Sequence, residues 1–201
     1  PALMSLRADQ VDAARHLVTL VLASDNFNSV RLRAAGFDSA ESVLARWTEV
    51  PFVTKADLLA DAQARPPWGS IATEPAARYT RFCQTSGTST GQPLAWLDTP
   101  ESWQVMLDCW RTVFQAAGVR AGEDRIFFAF SFGPFLGFWT AFEAGAQDYL
   151  VIPSGGMSSE ARLAAMLRYG ATVLCCTPTY AMRLGEMLPA DRKSTRLNSS
   201  H

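Results

Sequence analysis

The chain has 201 residues, of which 48% are apolar and 18% charged, and its formal net charge is −1. This composition is typical of a globular protein and is neither that of a disordered chain nor that of a membrane protein. The near-neutral charge gives no electrostatic basis for binding nucleic acid or an anionic membrane. No apolar run approaches the roughly 20 residues that span a bilayer. We therefore expect a cytoplasmic protein that binds neither nucleic acid nor membranes.

The four cysteines and two histidines do not have the spacing of a zinc site. Cys175 and Cys176 are neighbours in the apolar run ATVLCC, which favours reduced thiols in the core of an intracellular protein. We therefore expect no metal ligands in this chain.

Residues 1–76 predict a helical N-terminal region. The segment ADQVDAARHLVTLVLA places apolar residues on one helical face and leaves His16 outside it. Asp38 is predicted to cap a second helix. Thr54 is predicted to cap a third, because Asp57 stands three residues later, as in a capping box.

Residues 77–190 predict an α/β unit. RYTRFCQ and LAWLD are predicted as two strands that flank a polar loop, and a helix is expected to begin at Pro100. RIFFAF is a continuous apolar run, typical of a strand covered on both faces. DYLVIP is predicted as another buried strand and TVLCC as a third strand, and the three alternate with helical segments. This order predicts a βαβ-type parallel sheet. Residues 191–201 have no apolar face, and we expect them to be a non-native tail.

The polar loop is the strongest candidate for a binding site. Its glycines permit backbone conformations that let N–H groups converge on an anion, and its hydroxyls add further donors. The alternative is a flexible connection between two strands, since Ser, Thr and Gly are also turn residues. A GxxxxGK[ST] loop is excluded, because the two glycines stand one residue too close and Gln92 occupies the lysine position. The candidate residues are Thr85, Ser86, Gly87, Thr88, Ser89, Thr90 and Gly91.

The stretch QTSGTSTGQPL resembles the phosphate loop of adenylate-forming (AMP-binding) enzymes, whose usual form is TSGTTGxPK. VPFVTKADL, FFAFSFGPFLGF and VLCCTPTYAMRL resemble the phenylacetate–coenzyme A ligase-like branch of that superfamily. The resemblance covers residues 1 to about 190, in order. The loop departs from the family pattern by one extra residue, and Leu94 replaces a basic residue that many members have after the proline.

The resemblance implies a two-step ligation. A carboxylic acid attacks the α-phosphate of ATP to give an acyl-adenylate, and coenzyme A then takes the acyl group as a thioester. Thr85–Gly91 would hold the β- and γ-phosphates while Mg²⁺ offsets their charge. Phosphoryl chemistry of this kind needs mainly positioning and electrostatic stabilisation, which such donors can supply.

The resemblance also places an acyl pocket in the second half of the chain. FSFGPFLGF matches the region that lines the carboxylate pocket in related enzymes, with Phe132 and Phe135 packing on a flat acyl group and Gly133 allowing close approach. The alternative is that these phenylalanines fill the core at a strand–helix junction. Gly155 and Gly156 follow a predicted strand and could border the same pocket or form a plain turn before a helix.

Several features that the family has later in its sequence do not occur here. There is no TGD segment, and the lysines are Lys55 and Lys193, neither of which we assign to catalysis. The catalytic lysine is therefore expected outside this chain. We expect the chain to be an N-terminal fragment with a truncated fold, inactive by itself. Two alternatives stay open, namely an adenylating enzyme with another acyl acceptor and a non-catalytic α/β interaction module.

Overall fold

The structure, a computed structural model, describes residues 7–87 and 91–188. The chain forms two compact units, of which the first ends at Pro100 and the second begins at Glu101. The predicted domain boundaries after residues 76 and 190 stay predictions. None of the helices within the described ranges is long and apolar enough to cross a bilayer.

The first unit contains four α-helices and a two-stranded hairpin among its described residues. Its elements are α1 (Ala8–Ala23), α2 (Phe27–Ala34), α3 (Ala40–Ala45), α4 (Lys55–Ala64), β1 (Arg81–Gln84) and β2 (Ala95–Asp98), with short 3-10 turns at Trp47–Glu49 and Ala76–Arg78. The helical core is a cluster of buried apolar side chains from α1, α3 and the segment before α3, namely Val18, Phe37, Ala40 and Val43.

Helix starts in this unit follow from side-chain caps. The prediction for Thr54 is correct: its hydroxyl accepts from the Asp57 amide at 3.2 Å, and the Asp57 carboxylate accepts from the Thr54 amide at 2.9 Å. The prediction for Asp38 is wrong, because Ser39 caps α3 by accepting from the Ser42 amide. The sequence reading also missed α2, which is capped by Asn26.

The strands β1 and β2 pair antiparallel, with Cys83 opposite Trp96, so that the polar loop lies at the tip of a hairpin. Cys83 and Leu94 are buried, whereas Phe82 and Trp96, which lie on opposite faces of the hairpin, are 45% and 43% exposed. Both strands of the hairpin therefore combine buried and exposed positions.

The second unit is a three-stranded parallel sheet with helices. Its elements are α5 (Pro100–Ala116), β3 (Arg125–Phe128), α6 (Leu136–Asp148), β4 (Leu150–Pro153), α7 (Ser159–Arg168), β5 (Val173–Cys175) and α8 (Pro178–Glu186). The strand order is β4-β3-β5, and β3 pairs parallel to both neighbours. The predicted α/β class and parallel pairing are thus confirmed, and the helix that was expected from Pro100 is present.

Burial differs among the three parallel strands. Ile126, Phe127 and Phe128 on the central strand β3 have no exposed surface. In contrast, Leu150 on β4 is 61% exposed and Leu174 on β5 is 39% exposed. The predicted two-sided burial of the RIFFAF strand is correct for β3. The prediction that DYLVIP is a buried strand is wrong for β4, which is an outer strand of this sheet and is partly exposed.

The helices α5 and α6 pack on each other through paired polar contacts. The Trp110 indole donates to the Thr140 hydroxyl at 3.0 Å, and Arg111 forms an ion pair with Asp148 at 2.8 Å. Gly145 of α6 allows close approach to the sheet, since a Cβ there would lie about 3.1 Å from the Val151 side chain. This packing buries the helix against the strands whose carboxyl ends carry the second candidate site.

Candidate functional site

The hairpin loop begins with two hydrogen bonds that extend the β1–β2 ladder. The Thr85 amide donates to the Leu94 carbonyl at 3.0 Å, and the Leu94 amide donates to the Thr85 hydroxyl oxygen at 2.9 Å. Because the Thr85 hydroxyl acts here as an acceptor, its own proton remains available for an incoming ligand. Thr85 and Ser86 are both exposed.

Gly87 and Gly91 define the described ends of the turn. Their φ angles are +72° and +70°, and the Gly91 amide donates to the Gly87 carbonyl at 2.7 Å. Such φ values strain any residue with a Cβ. Gly87 has a second constraint, since a Cβ there would lie 3.1 Å from the Pro93 nitrogen, whereas Gly91 faces open space.

These contacts bear on how the loop could hold an anion. Two of the predicted amide donors, Thr85 and Gly91, already donate to main-chain carbonyls. Thr88, Ser89 and Thr90 lie outside the described residues. Phosphate contact by the described part of the loop would therefore use the exposed hydroxyls, or would exchange these two internal hydrogen bonds for bonds to phosphate oxygens.

The second group of predicted residues lies beyond the carboxyl end of β3. The side chains form an aromatic cluster that consists of Phe128, Phe130, Phe132, Phe135, Phe138, Trp139 and Phe142. Phe132 contacts Trp139 and Phe142 edge-on, each with ring centroids 5.2 Å apart. Its φ is +45°, a left-handed conformation that is uncommon for a bulky residue. Strained backbone of this kind concentrates at functional sites.

Gly133 fixes the turn that follows Phe132. Its carbonyl accepts from the Phe135 amide at 2.7 Å and from the Trp139 indole at 3.0 Å. A Cβ at Gly133 would lie 2.7 Å from the Phe135 ring. Gly133 and Phe135 thus pack on each other, and a side chain at position 133 would displace that ring.

Gly155 and Gly156 lie in the exposed turn between β4 and α7. A Cβ at Gly155 would come within 3.3 Å of the Phe132 ring. The fold therefore brings Gly155 next to Phe132 at the carboxyl edge of the parallel sheet, which is where ligands bind in open α/β folds. Gly156 has no neighbour within 4 Å of such a Cβ and belongs to the turn.

Sequence reasoning missed Arg162 at this edge and gave Ser154 no role beyond the turn that contains it. The Ser154 hydroxyl donates to the Phe128 carbonyl at 2.7 Å. The Arg162 guanidinium, only 7% exposed, donates to the carbonyl of Phe130 at 3.1 Å and to that of Ser154 at 3.2 Å. One signal was available: Arg162 stands three residues before Ala165, so both lie on the buried stripe of α7.

The guanidinium of Arg162 lies over the ring of Tyr180, 5.2 Å from its centroid, and the Tyr180 hydroxyl is 2.9 Å from the Ser159 hydroxyl. Burial pushes the pKa of Tyr180 upward, but hydrogen bonds with Ser159 and Arg162 outweigh it, so the pKa of Tyr180 is below its ordinary value. Nearby, burial raises the pKa of the Cys175 thiol to about 11. This thiol is protonated at neutral pH and is a poor nucleophile.

No three His, Cys, Asp or Glu side chains in the described parts of the chain stand close enough to hold a metal ion. The hairpin loop lies in the first unit, and the aromatic cluster with Gly155 and Arg162 lies in the second.

The fold described above is that of the adenylate-forming ligases. Two crystal structures of 2-hydroxyisobutyryl-CoA ligase match it. One, in complex with 2-HIB-AMP and CoA in the thioesterification state, matches with a TM-score of 0.77 at 23% identity over 94% of this chain. The other, in the postadenylation state with 2-HIB-AMP, matches with a TM-score of 0.74 at 25% identity over 91% of this chain.

In sequence, the chain is 29% identical over 184 residues to the phenylacetate–coenzyme A ligase of Thermus thermophilus. This alignment covers 90% of the chain and 40% of that relative, and the chain spans 41% and 38% of the two ligase structures. No protein-family model matches the chain. These findings confirm the resemblance to adenylate-forming enzymes and to their phenylacetate–coenzyme A ligase-like branch.

Proposed function

We propose that this chain is part of an ATP-dependent ligase that activates a carboxylic acid as its acyl-adenylate and transfers the acyl group to coenzyme A. The observation that carries the proposal is the sequence similarity to a phenylacetate–coenzyme A ligase over 90% of the chain. The neighbouring ligase structures, which hold an acyl-AMP and CoA, support the choice of ATP and CoA as substrates.

In this proposal the hairpin loop binds the triphosphate of MgATP. The exposed hydroxyls of Thr85 and Ser86 donate to phosphate oxygens, and the positive φ of Gly87 and Gly91 directs the loop backbone toward them. Thr88, Ser89 and Thr90 complete the donor set. No residue of the loop needs to gain or lose a proton, because the role of the loop is to hold the negatively charged phosphates in place during attack on the α-phosphate.

The acyl group packs on the aromatic cluster. Phe132 and Phe135 offer ring faces at the carboxyl edge of the sheet, where Gly155 lets the chain lie against Phe132, Gly133 lets it lie against Phe135, and Gly156 faces open space. A flat, apolar acid such as an aryl acetate suits such a surface better than a small aliphatic acid, since aromatic rings gain from edge-on and stacked contacts. The cytoplasmic location stays a prediction.

We also propose that the 201-residue chain alone does not complete the reaction, since it contains no TGD segment and offers no catalytic lysine. Groups that must converge on one nucleotide lose most of their effect when some are missing. Pyrophosphate exchange clearly above background from the purified chain would contradict this.

The test uses the natural full-length product of the gene. Pyrophosphate exchange with phenylacetate, followed by thioester formation on adding coenzyme A, is the expected result. Ser86→Ala should lower the exchange rate about tenfold through loss of a phosphate donor. Thr19→Ala, which removes an exposed hydroxyl on α1, should leave it unchanged.

Two other results would change the conclusion. Exchange without thioester formation would indicate an adenylating enzyme with another acyl acceptor. Absence of exchange with aromatic and aliphatic acids alike would overturn the proposal and favour a non-catalytic interaction module.

A further inference from the structure

Within the described parts of the chain, Arg162 is a buried cation without a carboxylate partner. It stands in the first turn of α7 and is only 7% exposed, and no carboxylate in the described parts of the chain forms an ion pair with it. Taking a guanidinium out of water without a counter-charge is costly, so such a residue persists only where its donors are well used.

The donors of Arg162 join two segments of chain that are far apart in sequence. One N–H group reaches the Phe130 carbonyl just beyond β3, and others reach the Ser154 carbonyl just beyond β4. Ser154 adds a second link, because its hydroxyl donates to the Phe128 carbonyl of β3. The two segments are thereby fixed to each other at the edge where the strands end.

The same two segments carry the predicted acyl-pocket residues. Phe132 follows Phe130 by two residues and has the strained φ of +45°, and Gly155 directly follows Ser154 and adjoins the Phe132 ring. Strained backbone persists only when surrounding contacts hold it. Arg162 anchors the chain on both sides of this contact, and the Tyr180 ring beneath the guanidinium fixes its position in turn.

We propose that Arg162 is a positioning residue: by joining the Phe130 and Ser154 carbonyls, it holds Phe132 against Gly155 and so sets the pocket shape that favours aryl over small aliphatic acids. This inference rests on the proposed ligase function for its pocket role, whereas the joining of the two segments stands on the structure alone. Arg162 does not touch the reacting atoms in this proposal, and its effect passes through Phe132.

The experiment compares Arg162→Met, Arg162→Lys and the control Arg168→Met in the natural gene product. Arg168 lies on the same helix but is exposed, with its guanidinium over Tyr169. Hydrogen exchange is followed in residues 130–135 and 154–156. Steady-state kinetics are measured with phenylacetate and with propionate.

For Arg162→Met we expect faster amide hydrogen exchange in residues 130–135 and 154–156. We also expect the ratio of kcat/KM for phenylacetate over propionate to fall about tenfold or more, because small displacements in a site carry large kinetic costs. The KM for ATP should not change. Arg162→Lys should recover part of the protection, since an ammonium can serve one carbonyl but not both in the planar geometry of a guanidinium. Arg168→Met should match the parent protein.

Unchanged exchange in both segments would overturn the joining role, and equal losses with the two acids would overturn the pocket role in favour of general destabilisation. If Arg162→Met does not fold, the same comparisons are made with Arg162→Lys. A parent protein without activity on any acid would overturn the proposed function and the pocket role together. Hydrogen exchange would still decide whether Arg162 holds the two segments.

Discussion

The hairpin of the first unit and the parallel sheet of the second are stabilised in different ways. The hairpin exposes a large apolar side chain on each strand, and local hydrogen bonds between Thr85 and Leu94 close its loop. In the central strand of the parallel sheet, Ile126–Phe128 have no exposed surface, and side chains distant in sequence secure the carboxyl edge. The two candidate sites therefore differ in origin. Local backbone hydrogen bonds form the hairpin loop, whereas contacts between residues distant in sequence form the aromatic site at the carboxyl edge of the parallel sheet.

The largest effect is expected from replacing one phenylalanine in each region by alanine. Phe127→Ala on β3 removes a ring with no exposed surface and should lower the free energy of unfolding by about 3–5 kcal/mol. Phe82→Ala on β1, where the ring is 45% exposed and contacts Trp68 at 5.7 Å, should cost about 1 kcal/mol. Chemical denaturation measures both. Similar losses would contradict the distinction between the two regions.

A second test compares the two loop glycines. Gly87→Ala should lower the free energy of unfolding by about 3 kcal/mol, because the new Cβ meets the Pro93 backbone in addition to the strain of a positive φ. Gly91→Ala has the same φ strain in open space and should cost about 1–2 kcal/mol. Because Gly87→Ala is expected to destabilise the fold, a loss of activity in this variant is not by itself proof of phosphate binding. Equal losses in the free energy of unfolding for Gly91→Ala and Gly87→Ala would contradict the steric role of the Pro93 backbone.

A third test asks whether the Cys175 thiol, at the carboxyl edge of the parallel sheet, is shielded from solvent. Burial raises the pKa of Cys175 from 9.0 to about 11, so its thiolate fraction at pH 7.5 should fall roughly 100-fold below that of an unperturbed thiol. Alkylation of Cys175 should be slow and should rise about tenfold per pH unit up to that pKa. The exposed Cys109 is the internal control, and mass spectrometry assigns the labelled thiols. Equal labelling of Cys175 and Cys109 at neutral pH would show that solvent reaches the Cys175 thiol.

The smallest expected effect concerns the base of the loop. Thr85→Val removes the acceptor of the Leu94 amide and should lower the free energy of unfolding by about 1 kcal/mol. Thr85→Ser keeps the hydroxyl and should remain close to the parent. A neutral Thr85→Val variant would show that this hydrogen bond does not help to close the hairpin loop.

Much of the architecture could be predicted because it depends on spacing within short segments. The capping box at Thr54 and the helix from Pro100 follow from residues three or four positions apart. The missed helix α2 is only eight residues long and shows too few turns of periodicity to stand out. Asp38 failed as a cap because Ser39, one residue on, has the geometry to accept from the Ser42 amide.

Local propensity and periodicity were enough to establish the parallel class of the second sheet and the position of the Ser/Thr/Gly loop between two strands. They could not establish that β4 and β5 are outer strands, that Phe132 has a left-handed backbone, or that Arg162 is buried against two carbonyls. Those features depend on which distant segments meet in the folded chain. The energetic cost of the buried Arg162 guanidinium, for example, is offset by carbonyls 8 and 32 residues away and by the Tyr180 ring.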